Sequence, residues 1–271
     1  MKNDNRPIGI FDSGLGGLTV VASLKNLMPS EDIIYLGDTA RVPYGDKSPE
    51  NICRFAVQDA AFLARKGVKM IIVACNTVSS IAMDKLGEKF KDIHIVGVLE
   101  AGVRACLAEK ASSIAVIGTN ATVKSDAYRR NIHAVNPAVK VTSIPCPLFV
   151  PIVEEGLVQH PISDAAVELY LSPLKKNPPE ILLLACTHYP LLQEALRKYF
   201  EGSRLKIVDS ATACAKFAEE FIREKGISAS EHGNGSERYF VTDMPASFLR
   251  QAKRFLGREL DSFEKVSLDT N

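Results

Sequence analysis

The sequence predicts an α/β fold made of two similar halves, each a mainly parallel sheet with helices packed on it. Three observations carry this. Short apolar runs recur along the 271 residues, each followed by turn residues and then a helix-like stretch, the pattern of repeated βαβ units. Several runs are almost wholly apolar, as strands buried on both faces of a parallel sheet are. Two strand-to-cysteine units also appear in the same order, 62 residues from Ser13 to Cys75 and 67 from Thr119 to Cys186.

In chain order, strands are expected at 8–11, 33–36, 70–74, 93–98, 114–117, 139–144, 181–185 and 205–208. Amphipathic stretches such as 49–66 and 191–200 read as helices between them. Asp209 reads as the N-cap of a helix over 212–225. One further strand is expected at 238–242 and a final helix at 245–256. The segment 228–236, rich in Gly, Ser and Asn, reads as a loop. No low-complexity linker interrupts the chain, so short crossings should join the halves. Buried strands can look alike by chance. The echo here extends past the strands: Met70-Ile-Ile-Val-Ala-Cys75-Asn76-Thr77 parallels Ile181-Leu-Leu-Leu-Ala-Cys186-Thr187-His188.

Composition excludes several classes. There are 33 Lys+Arg and 32 Asp+Glu, a net charge of +1, so no global field favours nucleic acid or an acidic membrane. No run reaches the roughly 18 apolar residues that a membrane span needs. The N-terminal residues carry no secretory pattern, and the compartment expected is the cytoplasm, where thiols stay reduced. The six cysteines, Cys53, Cys75, Cys106, Cys146, Cys186 and Cys214, form no C-x-x-C pair. A disulfide framework or zinc knuckle is therefore not expected.

Asp12-Ser13-Gly14-Leu15-Gly16-Gly17 directly follows the first strand. It is not a dinucleotide loop, because Thr19 stands where the third glycine belongs, and no Walker Lys follows. What remains is a tight turn that puts Asp12 and Ser13 at the carboxyl edge of the sheet, where open α/β folds bind ligands. The plainer alternative is that they cap the next helix. Cys75 and Cys186 each end an apolar strand ahead of a helix start, a position that favours thiolate. Cys53, Cys106 and Cys214 fall in helix-like stretches and read as structural, as most free cysteines are. Cys146 lies between two prolines and has no obvious polar partner. His188, two residues after Cys186, can take that thiol's proton, and Asp12 can serve Cys75 in the same way. His94, His133, His160 and His232 read as ordinary surface or core histidines. Cys-x-His alone is too short for a metal site, so no metal is expected.

A protease needs one nucleophile, and a redox pair needs its sulfurs in bonding distance. One acid/base thiol in each half suits different chemistry, in which a proton is taken from one face of a carbon and another is returned to the opposite face.

The chain resembles the glutamate racemases of the aspartate/glutamate racemase superfamily. The matching segments run in family order from Gly9 to Val20, from Gly37 to Gly45, from Val73 to Thr77, Gly118-Thr119 with Thr122, from Cys146-Pro147 to Glu154-Glu155-Gly156, and from Ala185 to Pro190. The resemblance implies two pseudo-symmetric three-layer α/β domains facing across a cleft, 98–209 inserted between 1–97 and 210–271. It implies cofactor-independent interconversion of L- and D-glutamate, supplying D-glutamate for peptidoglycan. Cys75 would act on the D side with Asp12, and Cys186 on the L side with His188. Ser13, Tyr44, Gly45, Asn76, Thr77, Thr119, Thr122 and Thr187 would hold the substrate's charged ends together with Asp12 and His188. Glu154 lies in a matching stretch. The partner implied is a small-molecule substrate, with no nucleic acid or membrane, in a chain that commonly forms homodimers. Two rivals are carried forward: aspartate racemase, with the same thiols and a different pocket length, and a non-catalytic two-lobed amino-acid binder.

Overall fold

A computed structural model describes residues 3–230, 233–246, 248–260 and 262–268. His232, read above as an ordinary histidine, lies outside the described residues, as does part of the 228–236 loop. Among the described residues ten strands form two sheets: β1 (Ile8–Asp12), β2 (Ile33–Gly37), β3 (Met70–Val73), β4 (His94–Gly97), β5 (Ser113–Gly118), β6 (Lys140–Pro145), β7 (Ile181–Ala185), β8 (Lys206–Asp209), β9 (Glu237–Val241) and β10 (Glu264–Lys265). The first sheet has the order β10-β9-β2-β1-β3-β4 and the second β6-β5-β7-β8. Every pairing is parallel. The order β2-β1-β3-β4 thus recurs as β6-β5-β7-β8, and the strand-to-cysteine echo maps onto equivalent strands.

Burial explains the nearly unbroken apolar runs. In the first sheet Ile10, Ile33, Tyr35 and Ile72 face one apolar core, while Phe11, Ile34, Leu36, Ile71 and Val73 face another. In the second sheet Ala115, Ile117, Leu182 and Leu184 join that same first core, and Ile114, Val116, Ile181 and Leu183 face a third. Both sheets therefore share one inner core, and each keeps its own outer one. Helix Ser210–Lys225 packs against helices Leu18–Leu27 and Val98–Ala108, tying the inner layers together. No helix among the described residues is long and apolar enough to cross a membrane.

Local chemistry sets the element ends. Ser48 caps helix Pro49–Arg65, with proline in its first turn, where a missing N–H costs nothing. Asp209 caps helix Ser210–Lys225 through Oδ1, which accepts from Ala211 at 2.8 Å and Thr212 at 3.2 Å. That helix starts two residues ahead of the expected 212. The amphipathic run 191–200 divides into a 3₁₀ turn, Tyr189–Leu192, and a short helix, Gln193–Tyr199. The helix expected over 245–256 spans Phe248–Leu256. β10 was not expected: two exposed residues carry no period to read.

Candidate active site

In each sheet the chain leaves the first strand to one side and returns on the other. This opens a crevice at the carboxyl ends of β1 and β3, and again at those of β5 and β7. The two crevices face each other. Ser13 and Gly14 follow β1, Cys75, Asn76 and Thr77 follow β3, Thr119 follows β5, and Cys186, Thr187 and His188 follow β7. All line one small cavity of about 50 Å³, with Val42–Gly45, Val150 and Glu154. Larger cavities lie elsewhere, such as one of about 360 Å³ beside Gly97, Leu99 and Arg130, but its lining holds no thiol or histidine. Chemistry rather than size marks the site.

On one wall Cys75 is buried and stands at the start of helix Asn76–Ile81. Its thiol donates to Ser13 Oγ at 3.4 Å. Beneath it, Asp12 Oδ2 accepts the Gly14 N–H at 3.0 Å, while Oδ1 is buried with no hydrogen-bond partner. The next helix begins after Gly17 without a side-chain cap, so Asp12 does not serve as its N-cap. Burial pushes the Asp12 carboxyl above its usual range, and the charge on His188 only partly opposes this. Burial, with the nearby Asp12 charge, pushes the Cys75 thiol up to about 12.

On the other wall Cys186 Sγ stands 3.9 Å from His188 Nδ1, and His188 Nε2 stands 3.2 Å from Glu154 Oε1. Burial alone would lower the His188 pKa. The Cys186 sulfur and the Glu154 carboxylate outweigh it and bring the imidazole up to about 10. Phe255, from helix Phe248–Leu256, meets the His188 ring edge-on with centroids 4.9 Å apart. Arg254 of the same helix donates to the Glu154 carbonyl at 2.9 Å.

The walls meet closely. A Cβ on Gly16 would fall 2.2 Å from Thr187 Oγ1 and 2.7 Å from His188 Nδ1. Only glycine lets the first sheet's loop approach the second sheet's catalytic candidates this closely. Thr77 Oγ1 lies 3.0 Å from Thr119 Oγ1 and 3.3 Å from Thr122 Oγ1.

The sequence-derived residues thus converge on one place, with differences in how they face it. Asp12 and Thr122 stand behind the lining rather than in it. The Asn76 side chain is turned to Ser210 and the Tyr128 hydroxyl, and the Tyr44 hydroxyl to Asp38 and Asp59. Among the described residues, the other cysteines and histidines stay outside the cavity lining. Cys106, Cys146 and Cys214 are buried, and Cys53 points at the Ile81 carbonyl. His133 bonds the Val139 carbonyl, His160 caps helix Pro161–Lys175, and His94 packs on Phe221. Sequence reasoning missed Phe255, Arg254 and the Asp38–Arg41–Asp59 cluster. Asp59 did leave a signal, since it sits four residues from both Phe55 and Leu63, on the helix's apolar face.

Two facing parallel-sheet domains with one thiol on each wall of the cleft are the layout of an α/β acid–base enzyme of the racemase class. The family model described as Asp/Glu/hydantoin racemase matches residues 18–218. The chain is 42% identical to a glutamate racemase of Geobacter metallireducens over 265 residues, covering 97% of each. Among solved structures it superimposes on glutamate racemase from Francisella tularensis in complex with D-glutamate, with a TM-score of 0.92, 42% identity, and 98% and 99% of the two chains covered. It superimposes likewise on glutamate racemase from Thermus thermophilus in complex with beta-chloro-D-alanine, with a TM-score of 0.87, 41% identity and the same coverage. The chain belongs to the Asp/Glu/hydantoin racemase family, among its glutamate racemases.

Proposed function

We propose that this protein interconverts L- and D-glutamate by proton transfer between Cα and two cysteine sulfurs. The observation that carries the reading is the pair of thiols on opposite walls of one cavity, each beside its own acid/base group. One thiolate takes the Cα proton as the opposite thiol gives its proton to the other face. Bonds made and broken balance, and only the location of one proton on the enzyme changes. Following the family resemblance, Cys75 with Asp12 acts on the D-glutamate side and Cys186 with His188 on the L side. Asp12, whose charge acts on the Cys75 thiol, is the proposed acceptor for its proton. Glu154 holds the His188 ring through Nε2. Ser13, Thr77, Thr119 and Thr187 offer hydroxyls to the charged ends of the substrate, while Gly45 and Asn76 offer backbone groups. Desolvation in the closed cleft helps stabilise the carbanion-like state without a cofactor.

The domain boundaries proposed are 1–97 with 210–271, and 98–209. The product D-glutamate would serve peptidoglycan synthesis in the cytoplasm, and the enzyme would work as a homodimer.

The test is racemisation in deuterium oxide by wild type, Cys75→Ser and Cys186→Ser. Deuterium at Cα of the product enantiomer, with racemisation crippled in both variants, supports the two-thiol reaction. Full activity in either variant removes that thiol as an essential base. Exchange with aspartate but not glutamate would make the protein an aspartate racemase. Glutamate binding that survives Cys75→Ala, with no exchange in wild type, would make it a binder.

A further inference from the structure

We propose that Asp59, outside the cleft on helix Pro49–Arg65, is a positioning residue: held as the neutral acid, it seats Tyr44 and so fixes the Val42–Gly45 wall of the site. The proposal rests on the glutamate racemase reading for its kinetic consequence, but not for its structural basis.

Asp38 and Asp59 are both 0% exposed, and one guanidinium, Arg41, serves the two. Arg41 Nε lies 2.5 Å from Asp38 Oδ2, and Nη2 lies 3.1 Å from Asp59 Oδ1. Thr242 donates to Asp38 Oδ1 at 2.9 Å. The Tyr44 hydroxyl touches both acids: it makes a short bond to Asp38 Oδ2 and stands 3.2 Å from Asp59 Oδ2.

Proton counting is consistent with the arrangement. Tyr44 has one hydroxyl proton placed toward both acids, with the shorter contact to Asp38. The longer contact at Asp59 Oδ2 is left with the weaker share of that proton, and a neutral Asp59 can complete it by donating its own carboxyl proton to the Tyr44 oxygen. Charge counting agrees. Arg41 compensates Asp38, which leaves a second buried carboxylate unpaired and heavily penalised. Burial and the Asp38 charge both push the Asp59 carboxyl well up, against Arg41 and the Tyr44 bond. The titratable and charged groups facing Asp59 are Asp38, Arg41 and Tyr44, with Asp12 beyond them.

The chain Asp59–Tyr44–Asp38–Arg41 ends at the site wall. Gly45 follows Tyr44 and lines the cavity. It lies so close to the opposite domain that a Cβ there would stand 3.0 Å from Thr119 Cβ. The seat of the Tyr44 ring therefore sets the gap between Gly45 and Thr119, where substrate must be held. Ionising Asp59 would set two carboxylates against one guanidinium and unseat Tyr44.

The experiment measures KM and kcat for glutamate, from neutral to alkaline pH, in wild type, Asp59→Asn and Asp59→Ala. Asparagine copies the neutral acid, since its amide donates to the Tyr44 oxygen and its carbonyl accepts from Arg41. Asp59→Asn should keep KM within about twofold of wild type, whereas Asp59→Ala should raise KM on the order of tenfold with kcat changed less. The wild-type KM should climb more steeply at alkaline pH than that of Asp59→Asn, in which only the site groups common to both, such as His188, still titrate. A second readout is independent of activity: the infrared difference between wild type and Asp59→Asn at neutral pH should contain the C=O stretch of a neutral carboxyl, since any contribution from Asp12 is common to both and cancels. Equal impairment of Asn and Ala variants, an unchanged KM in Asp59→Ala, or no neutral-carboxyl band in the wild-type minus Asp59→Asn difference would each overturn the proposal. If Asp59→Ala does not fold, Asp59→Asn and the infrared band still decide. A wild type that does not racemise glutamate would sink the functional reading and leave the infrared result standing.

Discussion

Each thiol of the cleft has a partner of a different kind, and both partners are held toward their protonated forms, one neutral and one charged. Asp12 is a carboxyl that burial holds toward its neutral form, so it can share a proton with Cys75. Replacing it by asparagine removes the acceptor while keeping the shape, and racemisation should fall by roughly 10² or more, as loss of a general base does. Circular dichroism should show the fold intact. His188 is raised from 6.5 to about 10, so the folded state holds its proton more tightly than the unfolded chain does. Its contribution to stability is fully present below pH 6.5, declines above it, and is gone once pH passes about 10. Melting temperatures measured over that window should fall with pH in wild type and fall less in His188→Asn. Glu154→Gln should lower the His188 pKa, read by NMR of the imidazole. At this scale the thiols, Asp12 and His188 were legible because strand ends and short spacings are local. The Glu154–His188 contact spans 34 residues, and no local pattern encodes it.

The element that bears most on the site without lining it is helix Phe248–Leu256. It sets Phe255 against His188, and Arg254 and Gln251 against the Glu154 carbonyl. Phe255 is 5% exposed, so Phe255→Ala should cost about 3–5 kcal/mol by denaturant titration. Loss of its edge contact should also free the His188 ring, so kcat should drop even where the variant is fully folded. The turn after β1 makes a second prediction. In Gly16→Ala the added methyl must displace Thr187 and His188, and activity should fall far more than melting temperature. The helix's existence was legible from its apolar spacing. Its contact with His188 was not, because amphipathicity gives a buried face but not the neighbour.

For the whole molecule, the repeated strand order and shared inner core mean that neither domain is closed on its own. Helix Ser210–Lys225 covers apolar surface on both helix Leu18–Leu27 and helix Val98–Ala108. A fragment spanning 98–209 lacks that cover, and should show no cooperative thermal transition while the full chain does. The two-sheet plan was legible because Ala-Cys-polar-polar recurs after equivalent strands. The expectation that 210–271 returns to the first domain came from the family resemblance and not from the strand at 238–242 itself, whose period says nothing of which sheet it joins.

A sulfur on each side of the cavity also gives the enzyme a memory. If the proposed chemistry holds, inversion needs no tumbling of the bound amino acid, and each turnover leaves the proton on the sulfur opposite to where it began. The free protein then exists as two isomers that differ only in that proton, each ready for one mirror image of the substrate. At high substrate and product concentrations, its pace would depend on how quickly the empty cleft forgets which hand it last released.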